Sequence, residues 1–406
     1  MDFLQILFNF KTTLSDNEVE MFNYKWGIII IVAMLTILTI NSAFADDING
    51  EFNVSIENRN IDSVSIEDMN IESNVQIKDN EVSHNENTFT NLNQDINENQ
   101  EKEINLTKDY SFSFTDDSSY SQGILISRDL TINGNGHTLN GNNAARIFLI
   151  KDNTLNIVLK NLILKNGKND NGGTVSGKVT AINCTFINNT ATNFGGALYK
   201  GSAENCRFES NTAKEGAGIY INTKKITIRN CIFENNIASE FGGAVSIDST
   251  TETTITNCTL KNNKAKNGGA LNVAYSENTT VSNSTLADNN AEVSRGAIYY
   301  DFSTLNLLDN CYFEYNIALN NGGAIAWIFS TGNITNNNFV RNFAKENGGA
   351  IYISISKSKS MVNDQLLANC NFSDNHAENG GAIYNNDYYI IRESILYFIN
   401  NSSNKN

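Results

Sequence analysis

Basic residues, proline and histidine are scarce in this sequence. Lysine and arginine number 29 against 44 aspartates and glutamates, which gives a formal net charge of −15 at pH 7. Nucleic acids and anionic lipid surfaces are bound through clusters of basic side chains, so the charge balance argues against both as partners. Proline is absent from all 406 residues, although average usage would supply about twenty. We attach no function to that absence, because the excess of asparagine and isoleucine indicates a general compositional bias.

The residue types that build metal and catalytic centres are also rare or scattered. The three histidines, His84, His137 and His376, are widely separated, and none stands in a motif with a nucleophile. The cysteines form no Cys-x-x-Cys pair, the spacing that zinc sites use. Asp116 and Asp117 are the only adjacent acidic pair after residue 103, and we expect no active site there. The sequence therefore predicts no catalytic residue, no cofactor-binding residue and no metal ligand.

One long apolar run occurs, over residues 27–40, and its surroundings are typical of a signal peptide. Lys25 precedes the run, and the small-x-small cleavage motif of residues 43–45 follows it. The run is short for a membrane span, which needs about 20 apolar residues. We predict a signal peptide over residues 1–45, with Met21 as an alternative start because the residues before it are acidic where such a segment is basic. An uncleaved signal anchor is the alternative, and it would be the protein's only contact with a membrane.

The following segment, residues 46–103, is rich in acidic residues and asparagine. Phe52 and Phe89 are its only aromatic residues. A segment with so few large apolar residues and a net negative charge cannot bury enough surface to fold by itself. We therefore predict a disordered acidic linker over residues 46–103. An irregular first coil of the next domain is the alternative.

The decisive feature of the sequence is a motif that recurs eight times at intervals of 22 to 33 residues. It reads Asn-Cys-x-Phe-x-x-Asn-x-Ala, followed by a short turn and Gly-Gly-Ala-Ile-Tyr. The first asparagine of the motif is Asn183, Asn205, Asn230, Asn257, Asn283, Asn310, Asn336 and Asn369. The second asparagine is Asn189, Asn211, Asn236, Asn263, Asn289, Asn316, Asn342 and Asn375. The aromatic or leucine position is Phe186, Phe208, Phe233, Leu260, Leu286, Phe313, Phe339 and Phe372.

A repeat of this length, with short β-rich segments between asparagines and glycines, indicates one coil of a parallel β-helix. Helical repeats would need apolar positions with a period of 3.6 residues, and the Leu-x-x-Leu-x-Leu frame of leucine-rich repeats is missing. We predict an all-β solenoid over residues 104–406, with eight clear repeats over residues 181–384. Residues 123–167 have a similar composition and are expected to form the first coils.

The repeat also predicts where each coil bends. Apolar residues lie two positions before the first asparagine and also one and three positions after it, so the inward-facing positions change parity there. A bend produces such a change, and asparagine tolerates the left-handed backbone conformation better than other non-glycine residues. We expect the first asparagines to stand above one another in a ladder of side-chain hydrogen bonds. The Gly-Gly pair predicts a second corner.

The Gly-Gly-Ala-Ile and Phe-x-x-Asn signatures of residues 125–384 resemble the polymorphic outer-membrane protein repeat, a tandem unit of surface adhesins. With the leading Thr-Ile-Asn-Gly-Asn-Gly stretch, the array is also similar to the adhesin-like β-helix proteins that methanogenic archaea export. The resemblance implies a right-handed single-stranded parallel β-helix, which is a pectin-lyase-like solenoid, at the cell surface. It is less specific for function, because the same fold hosts polysaccharide lyases and hydrolases.

All six cysteines occupy the position after the first asparagine. Export would favour disulfides, and equivalent positions in successive coils lie within the distance that a disulfide permits. Stacked side chains point in the same direction, however, and Ser284 and Asn337 fill the position in two coils. We therefore predict six buried, unpaired thiols.

These observations predict an exported, adhesin-like protein that binds a polysaccharide or another cell-surface ligand along the side of its β-helix. We expect neither a cofactor nor a nucleic-acid partner, and we expect the protein not to be an enzyme. A pectin-lyase-type carbohydrate-active enzyme is the first alternative, which a cluster of carboxylates in a side groove would favour. A structural component of the cell envelope is the second.

Overall fold

Left-handed corners divide each repeat into short straight segments. The first asparagine of the motif has φ between 49° and 59° in all eight copies, which confirms the bend predicted at the Asn-Cys step. The residue before the second asparagine is also left-handed in every copy, with φ between 52° and 57°. The first glycine of the Gly-Gly pair supplies a third corner, as at Gly195, where a Cβ atom would lie 2.1 Å from the carbonyl oxygen of Leu198.

The computed structural model describes residues 87–355, 366–386 and 392–405. The predicted signal peptide and most of the predicted linker lie outside these residues. The described residues belong to the unit Glu81–Asn406. Within them, none of the helices has the length and apolar character needed to cross a bilayer.

The segments between corners form an all-β right-handed parallel β-helix of about eleven turns. Each full coil contributes a strand to each of four faces, which the chain visits in the order 1, 2, 3 and 4. Face 1 precedes the first asparagine, face 2 carries the phenylalanine, face 3 carries the alanine, and face 4 follows the Gly-Gly pair. The fold predicted from the repeat is thereby confirmed.

The strands of face 1 are Glu103–Asn105, Leu130–Asn133, Ile157–Lys160, Thr227–Arg229, Thr251–Thr256, Glu277–Ser282, Asn306–Asp309 and Gly332–Thr335. Those of face 2 are Tyr110–Ser111, Thr138–Asn140, Ile163–Lys165, Thr185–Ile187, Arg207–Glu209, Ile232–Glu234, Thr259–Lys261, Thr285–Ala287, Tyr312–Glu314 and Asn338–Val340. Those of face 3 are Lys168–Asn171, Thr190–Phe194, Thr212–Glu215, Ile237–Phe241, Lys264–Asn267, Asn290–Ser294, Ile317–Ala318, Phe343–Ala344, His376–Asn379 and Ser402–Lys405. Those of face 4 are Ile124–Ile126, Phe148–Ile150, Ile219–Ile221, Val245–Asp248, Leu271–Ala274, Ile298–Asp301, Ile325–Ile328, Ile351–Ser354 and Ile383–Asn385.

Some longer strands pass through a corner and belong to two faces. Val175–Ile182 and Leu198–Glu204 continue from face 4 into face 1. Leu366–Ser373 and Arg392–Ile399 continue from face 1 into face 2. Because the strands pair in parallel and in register, each motif position stands above its equivalent in the next coil. On face 2, for example, the buried rings of Phe186 and Phe208 stack with their centroids 4.7 Å apart.

The buried asparagine ladder is formed by the second asparagine of the motif. All eight of these residues are at most 1% exposed. The amide nitrogen and Nδ2 of Asn211 both donate to Oδ1 of Asn236, at 3.1 and 2.9 Å, and Nδ2 also donates to the carbonyl oxygen of Phe186 at 3.1 Å. Each side chain therefore bonds to the coil on either side of its own, which satisfies the polar backbone groups that the left-handed corner leaves inside the core.

The ladder predicted for the first asparagine exists but is not part of the core. Nδ2 of Asn230 donates to Oδ1 of Asn205 at 3.0 Å, and both side chains are exposed. The first asparagine is itself the left-handed residue at which the alternation of inward and outward side chains shifts by one position. Its own side chain therefore points outward. The predicted corner and the predicted ladder of first asparagines are thus confirmed, and the buried ladder of second asparagines is a further one.

The cysteines form a second column of hydrogen bonds inside the corner between faces 1 and 2. The amide nitrogen of Cys184 donates to Sγ of Cys206 at 3.4 Å, and that thiol donates to the carbonyl oxygen of Glu204 at 3.2 Å. Ser284 takes the same role, since its Oγ accepts from the amide of Cys258 at 3.1 Å. The position therefore selects a small side chain with a donor and an acceptor, which explains why serine replaces cysteine there. All six cysteines lie in the described part of the chain and are buried and free.

The folded body begins before residue 104, which corrects the predicted extent of the linker. Phe89–Asn97 form an α-helix whose Phe89, Leu92 and Ile96 are completely buried. Thr88 caps the helix with a capping box, and the ring of Phe89 packs against Phe112 of the first coil with centroids 5.6 Å apart. The acidic composition of the whole segment concealed this short amphipathic stretch. The helix covers the apolar end of the core that the first coil would otherwise expose.

The asparagine ladder predicts a measurable loss of stability. We expect Asn236→Ala to lower the free energy of unfolding by about 1–3 kcal/mol, because buried groups on both neighbouring coils lose their partner. The control is Asn153→Ala, in an exposed turn, which should change stability by less than about 0.5 kcal/mol. Denaturation curves check this. Equal stability of the two variants would contradict the role of the ladder.

The cysteine column predicts thiols that are inert in the folded protein. All six thiols are buried, so a reagent in solution does not reach them, and burial raises the pKa of the Cys311 thiol to about 12. A thiol reagent should label no cysteine in the native protein and six after denaturation without a reductant. If four or six cysteines of freshly purified protein are already oxidised, the column is a set of disulfides instead.

Candidate binding face

The outward side of face 4 is the part of the solenoid where aromatic and acidic side chains gather. Its outward row contains Tyr220, Asn272 and Tyr299, each at most 4% exposed although its side chain points away from the core. The ends of the face 3 strands cover this row. Phe194 lies 4.5 Å from the ring of Tyr220, and the Arg295 guanidinium lies 4.3 Å over the ring of Tyr299.

Two carboxylates stand at one edge of this row. Asp248 and Asp301 occupy the same repeat position two coils apart, with Ala274 between them. The hydroxyl of Tyr220 donates to Oδ2 of Asp248 at 2.9 Å. Burial, together with the charge of Asp248, raises the pKa of Tyr220, so this hydroxyl stays a donor at physiological pH. Burial raises the pKa of Glu215, and the charge of Asp248 adds to this rise because carboxylates of like charge lie together at this acidic edge.

Exposed aromatic rings line the corner between faces 4 and 1. Tyr275, Phe302 and Phe329, here called the corner stack, have φ of 48°, 46° and 45°. The rings of Tyr275 and Phe302 are 5.5 Å apart and nearly parallel, and those of Phe302 and Phe329 are 4.8 Å apart. Tyr275 is 61% exposed and Phe302 is 44% exposed. The stack therefore presents a projecting apolar ridge beside the acidic edge of face 4.

The corner stack places bulky residues in a backbone conformation that they rarely adopt. A left-handed conformation costs a non-glycine residue roughly 1–2 kcal/mol, and asparagine tolerates it better than most. The first corner of this chain uses asparagine in all eight copies of the motif, whereas the second corner also carries Tyr315 and Arg341; the stacking of three exposed or half-exposed rings is what distinguishes the corner stack. A buried serine follows each ring and holds the corner, as where the amide of Ser276 donates to Oγ of Ser303 at 3.1 Å. Strain of this kind is concentrated at functional sites.

The residues weighed as catalytic candidates in the sequence do not come together. His137 lies at an exposed corner with Nδ1 3.0 Å from Oδ1 of Asp109, and Nδ1 of His376 lies 2.8 Å from Oγ of Ser402 on face 3. His84 lies outside the described residues. Within residues 87–355, 366–386 and 392–405, no three histidines, cysteines, aspartates or glutamates are grouped to hold a metal ion. The expectation of no metal, cofactor or catalytic residue stays a prediction.

Asp117 has a structural role at the end of the solenoid. Its carboxylate is fully buried and accepts hydrogen bonds from the backbone amides of Phe89, Thr90 and Ser113 at 2.9, 2.8 and 2.7 Å. Negative charge at a helix N-terminus is stabilised by the unpaired amides and the helix dipole. Asp117 thus fastens the capping helix to the first coil.

Sequence reasoning missed the acidic edge and the corner stack. Asp248 lies six residues after Gly242, and Asp301 lies six residues after Arg295, which takes the place of the first glycine of the Gly-Gly pair. A search for acidic residues in adjacent coils does not find them, because Ala274 separates them. The corner stack escaped because its residues lie outside the recurring motif. Aligning the segment after each Gly-Gly pair would have placed Tyr275, Phe302 and Phe329 in one column.

Comparison with protein families supports the repeat architecture. Residues 122–286 match the right-handed beta helix region, and residues 310–326 and 369–386 match the Chlamydia polymorphic membrane protein repeat. The chain therefore contains both elements that the sequence motifs indicated, and they fit a surface protein. No curated protein matches the chain.

Several solved β-helix structures are similar to the chain. The catalytic domain of a GH87 α-1,3-glucanase is 14% identical with a TM-score of 0.40, over 76% of this chain and 65% of that chain. The endo-xylogalacturonan hydrolase from Aspergillus tubingensis is 11% identical with a TM-score of 0.30, over 72% of this chain and 87% of that chain. The periplasmic alginate epimerase AlgG is 11% identical with a TM-score of 0.30, over 73% and 85%. The chain spans about two thirds of the length of the first of these.

The contacts of Asp117 predict that the capping helix depends on this carboxylate. Asp117→Ala leaves buried amides without an acceptor, and we expect it to lower the free energy of unfolding by about 1–3 kcal/mol. Limited proteolysis should cut the variant within residues 87–100 before the rest of the solenoid. The neighbouring Asp116→Ala is the control and should leave the cleavage pattern as in the wild type. Resistance of the Asp117 variant to cleavage would show that the helix is held by its apolar face alone.

Proposed function

We propose that this protein is an exported, adhesin-like surface protein that binds polysaccharide or other cell-surface ligands along the side of its β-helix, and that it is not an enzyme. The repeats shared with polymorphic membrane proteins support a place at the surface. A solenoid suits such a role because each coil extends the available side by about 4.8 Å. The formal charge of −15 directs the search for ligands away from polyanions.

The observation that carries the proposal is the corner stack. Fold stability alone favours asparagine or glycine at a left-handed corner, yet Tyr275, Phe302 and Phe329 occupy three successive coils there. The rings of Tyr275 and Phe302 project into solvent, and that of Phe329 is half-buried outside the core. Aromatic rings bury a large area with few rotatable bonds, and their negative faces attract partly positive C–H groups. Sugar rings present such C–H groups next to hydroxyls. The neighbouring carboxylates can accept hydrogen bonds from those hydroxyls.

A carbohydrate-active enzyme is the second candidate, and the pair Asp248 and Asp301 favours it. Two coils separate the backbones of these residues by about 9–10 Å, close to the upper end of the carboxylate spacing in inverting glycosidases. Binding is the stronger proposal because Asp248 already accepts hydrogen bonds from Tyr220 and Ser249. Both oxygens of Asp248 are thus held by donors of the protein itself, which orients the carboxylate as a fixed acceptor for ligand hydroxyls.

The test uses the full chain, exported and purified, on an array of cell-surface and plant glycans. The variant Tyr275→Asn/Phe302→Asn/Phe329→Asn removes the rings and supplies a residue suited to the left-handed backbone. We expect it to bind at least ten-fold more weakly than the wild type, which is about 1.4 kcal/mol, with no loss of melting temperature.

The matched control is Tyr315→Asn, which replaces an exposed ring at another left-handed corner, with φ of 52° and 45% exposure. It should bind as the wild type does. Binding of no glycan by the wild type, or equal binding by the triple variant, would contradict the proposal. Release of shorter sugars from a bound glycan, abolished by Asp301→Asn, would establish the enzyme instead.

A further inference from the structure

We propose that the free ring face of Tyr275, above Ser249 and beside Asp248, is a subsite for one uncharged pyranose unit of the ligand. This inference rests on the proposed binding function and specifies its site and the chemical class of sugar. The subsite lies at the Tyr275 end of the corner stack and not along its side, because a ring face is free only at that end.

The corner stack itself hides most of its ring faces. Tyr275 and Phe302 are parallel within 3°, so each covers one face of the other, and Phe302 is covered on its second side by Phe329. Among the described residues, the ring contacts of Tyr275 are confined to its Phe302 side. The opposite face of Tyr275 points along the solenoid toward the preceding coil, and this accounts for its 61% exposure.

The preceding coil leaves a ring-sized space at that face. Its corner residue is Ser249, which has φ of 51° and is exposed. Successive coils are about 4.8 Å apart, and an aromatic ring at this position would continue the stack. Serine leaves the space open. A pyranose ring is of similar thickness, so it can lie against Tyr275 where the next aromatic ring would be.

Polar groups border the space where the sugar hydroxyls would lie. Oδ1 of Asp248 accepts from Oγ of Ser249 at 3.0 Å, and Oδ2 accepts from the hydroxyl of Tyr220 at 2.9 Å. A carboxylate offers about four acceptor positions, so Asp248 keeps capacity for two sugar hydroxyls while its orientation is held. A ring face next to an oriented acceptor matches the two kinds of surface that a sugar presents.

The charges around the space select against acidic sugars. Asp248 lies at the subsite, and the charges of Asp248 and Glu240 both act on the half-buried Glu215. The charge of Lys214 also acts on Glu215, and Nζ of Lys225 lies 4.0 Å from Glu252, so the carboxylates around the space outnumber the cations. A uronate carboxylate would therefore be repelled. Neutral hexoses carry no such penalty, and we assign the subsite to them.

The test fills the subsite without shortening the stack. Ser249→Phe adds a ring at a corner whose neighbours already carry rings in the same backbone conformation. Titration calorimetry would use neutral hexasaccharides of glucose, galactose and mannose, with hexagalacturonate as the acidic probe. We expect the wild type to bind a neutral hexasaccharide and not hexagalacturonate, and Ser249→Phe to weaken neutral binding at least ten-fold. Ser210→Phe, at another left-handed corner with φ of 54°, is the matched control and should bind as the wild type does.

Each outcome decides between the subsite and the wider proposal. If both Ser249→Phe and Asp248→Asn bind the glycan as well as the wild type does, the subsite is wrong, while the adhesin proposal stands. The second variant is needed because a ring at residue 249 would itself end the stack. Preference of the wild type for hexagalacturonate also overturns the subsite. If the wild type binds no glycan on the array, both proposals fall. If Ser249→Phe does not fold, Asp248→Asn and Tyr275→Asn decide, since both should weaken neutral binding and unchanged binding by both would overturn the subsite.

Discussion

The hydrogen bonding of left-handed corners is the constraint on which the rest of this structure depends. Each coil turns through residues with φ near 50°, which leaves backbone amides pointing along the axis at the bends. The second asparagine of the motif satisfies them inside the core, and cysteine or serine does so at the neighbouring bend. Since every such bond joins one coil to the next, the same contacts set the register of all four faces.

This constraint explains how much of the fold could be predicted. Eight copies of the motif identified the β-helix and the bend at the first asparagine, because both follow from the spacing of apolar residues and from the tolerance of asparagine for that conformation. The burial of Asn236 and the exposure of Asn230 could not be separated, since the two asparagines look alike in a repeat. The helix Phe89–Asn97 was hidden in an acidic segment for lack of a neighbouring repeat.

The candidate site was out of reach of the motif for a related reason. A repeat shows the positions that every coil needs, whereas the proposed site is built from residues that differ between coils. Tyr275, Phe302 and Phe329 stand in a column that holds Ser249 one coil earlier. Only the register of the strands shows that these residues are neighbours and that their rings meet. We therefore expect the functional residues of this solenoid at departures from its repeat.

The central claim is that the corner stack is kept for binding at some expense of backbone strain. The most direct test measures melting temperature and glycan affinity on the single variant Tyr275→Asn, at the free end of the stack. Our account predicts weaker glycan binding without a lower melting temperature, because asparagine relieves the left-handed strain while the ring is lost. A lower melting temperature with unchanged glycan binding would contradict it, since the rings would then serve only to hold the corner.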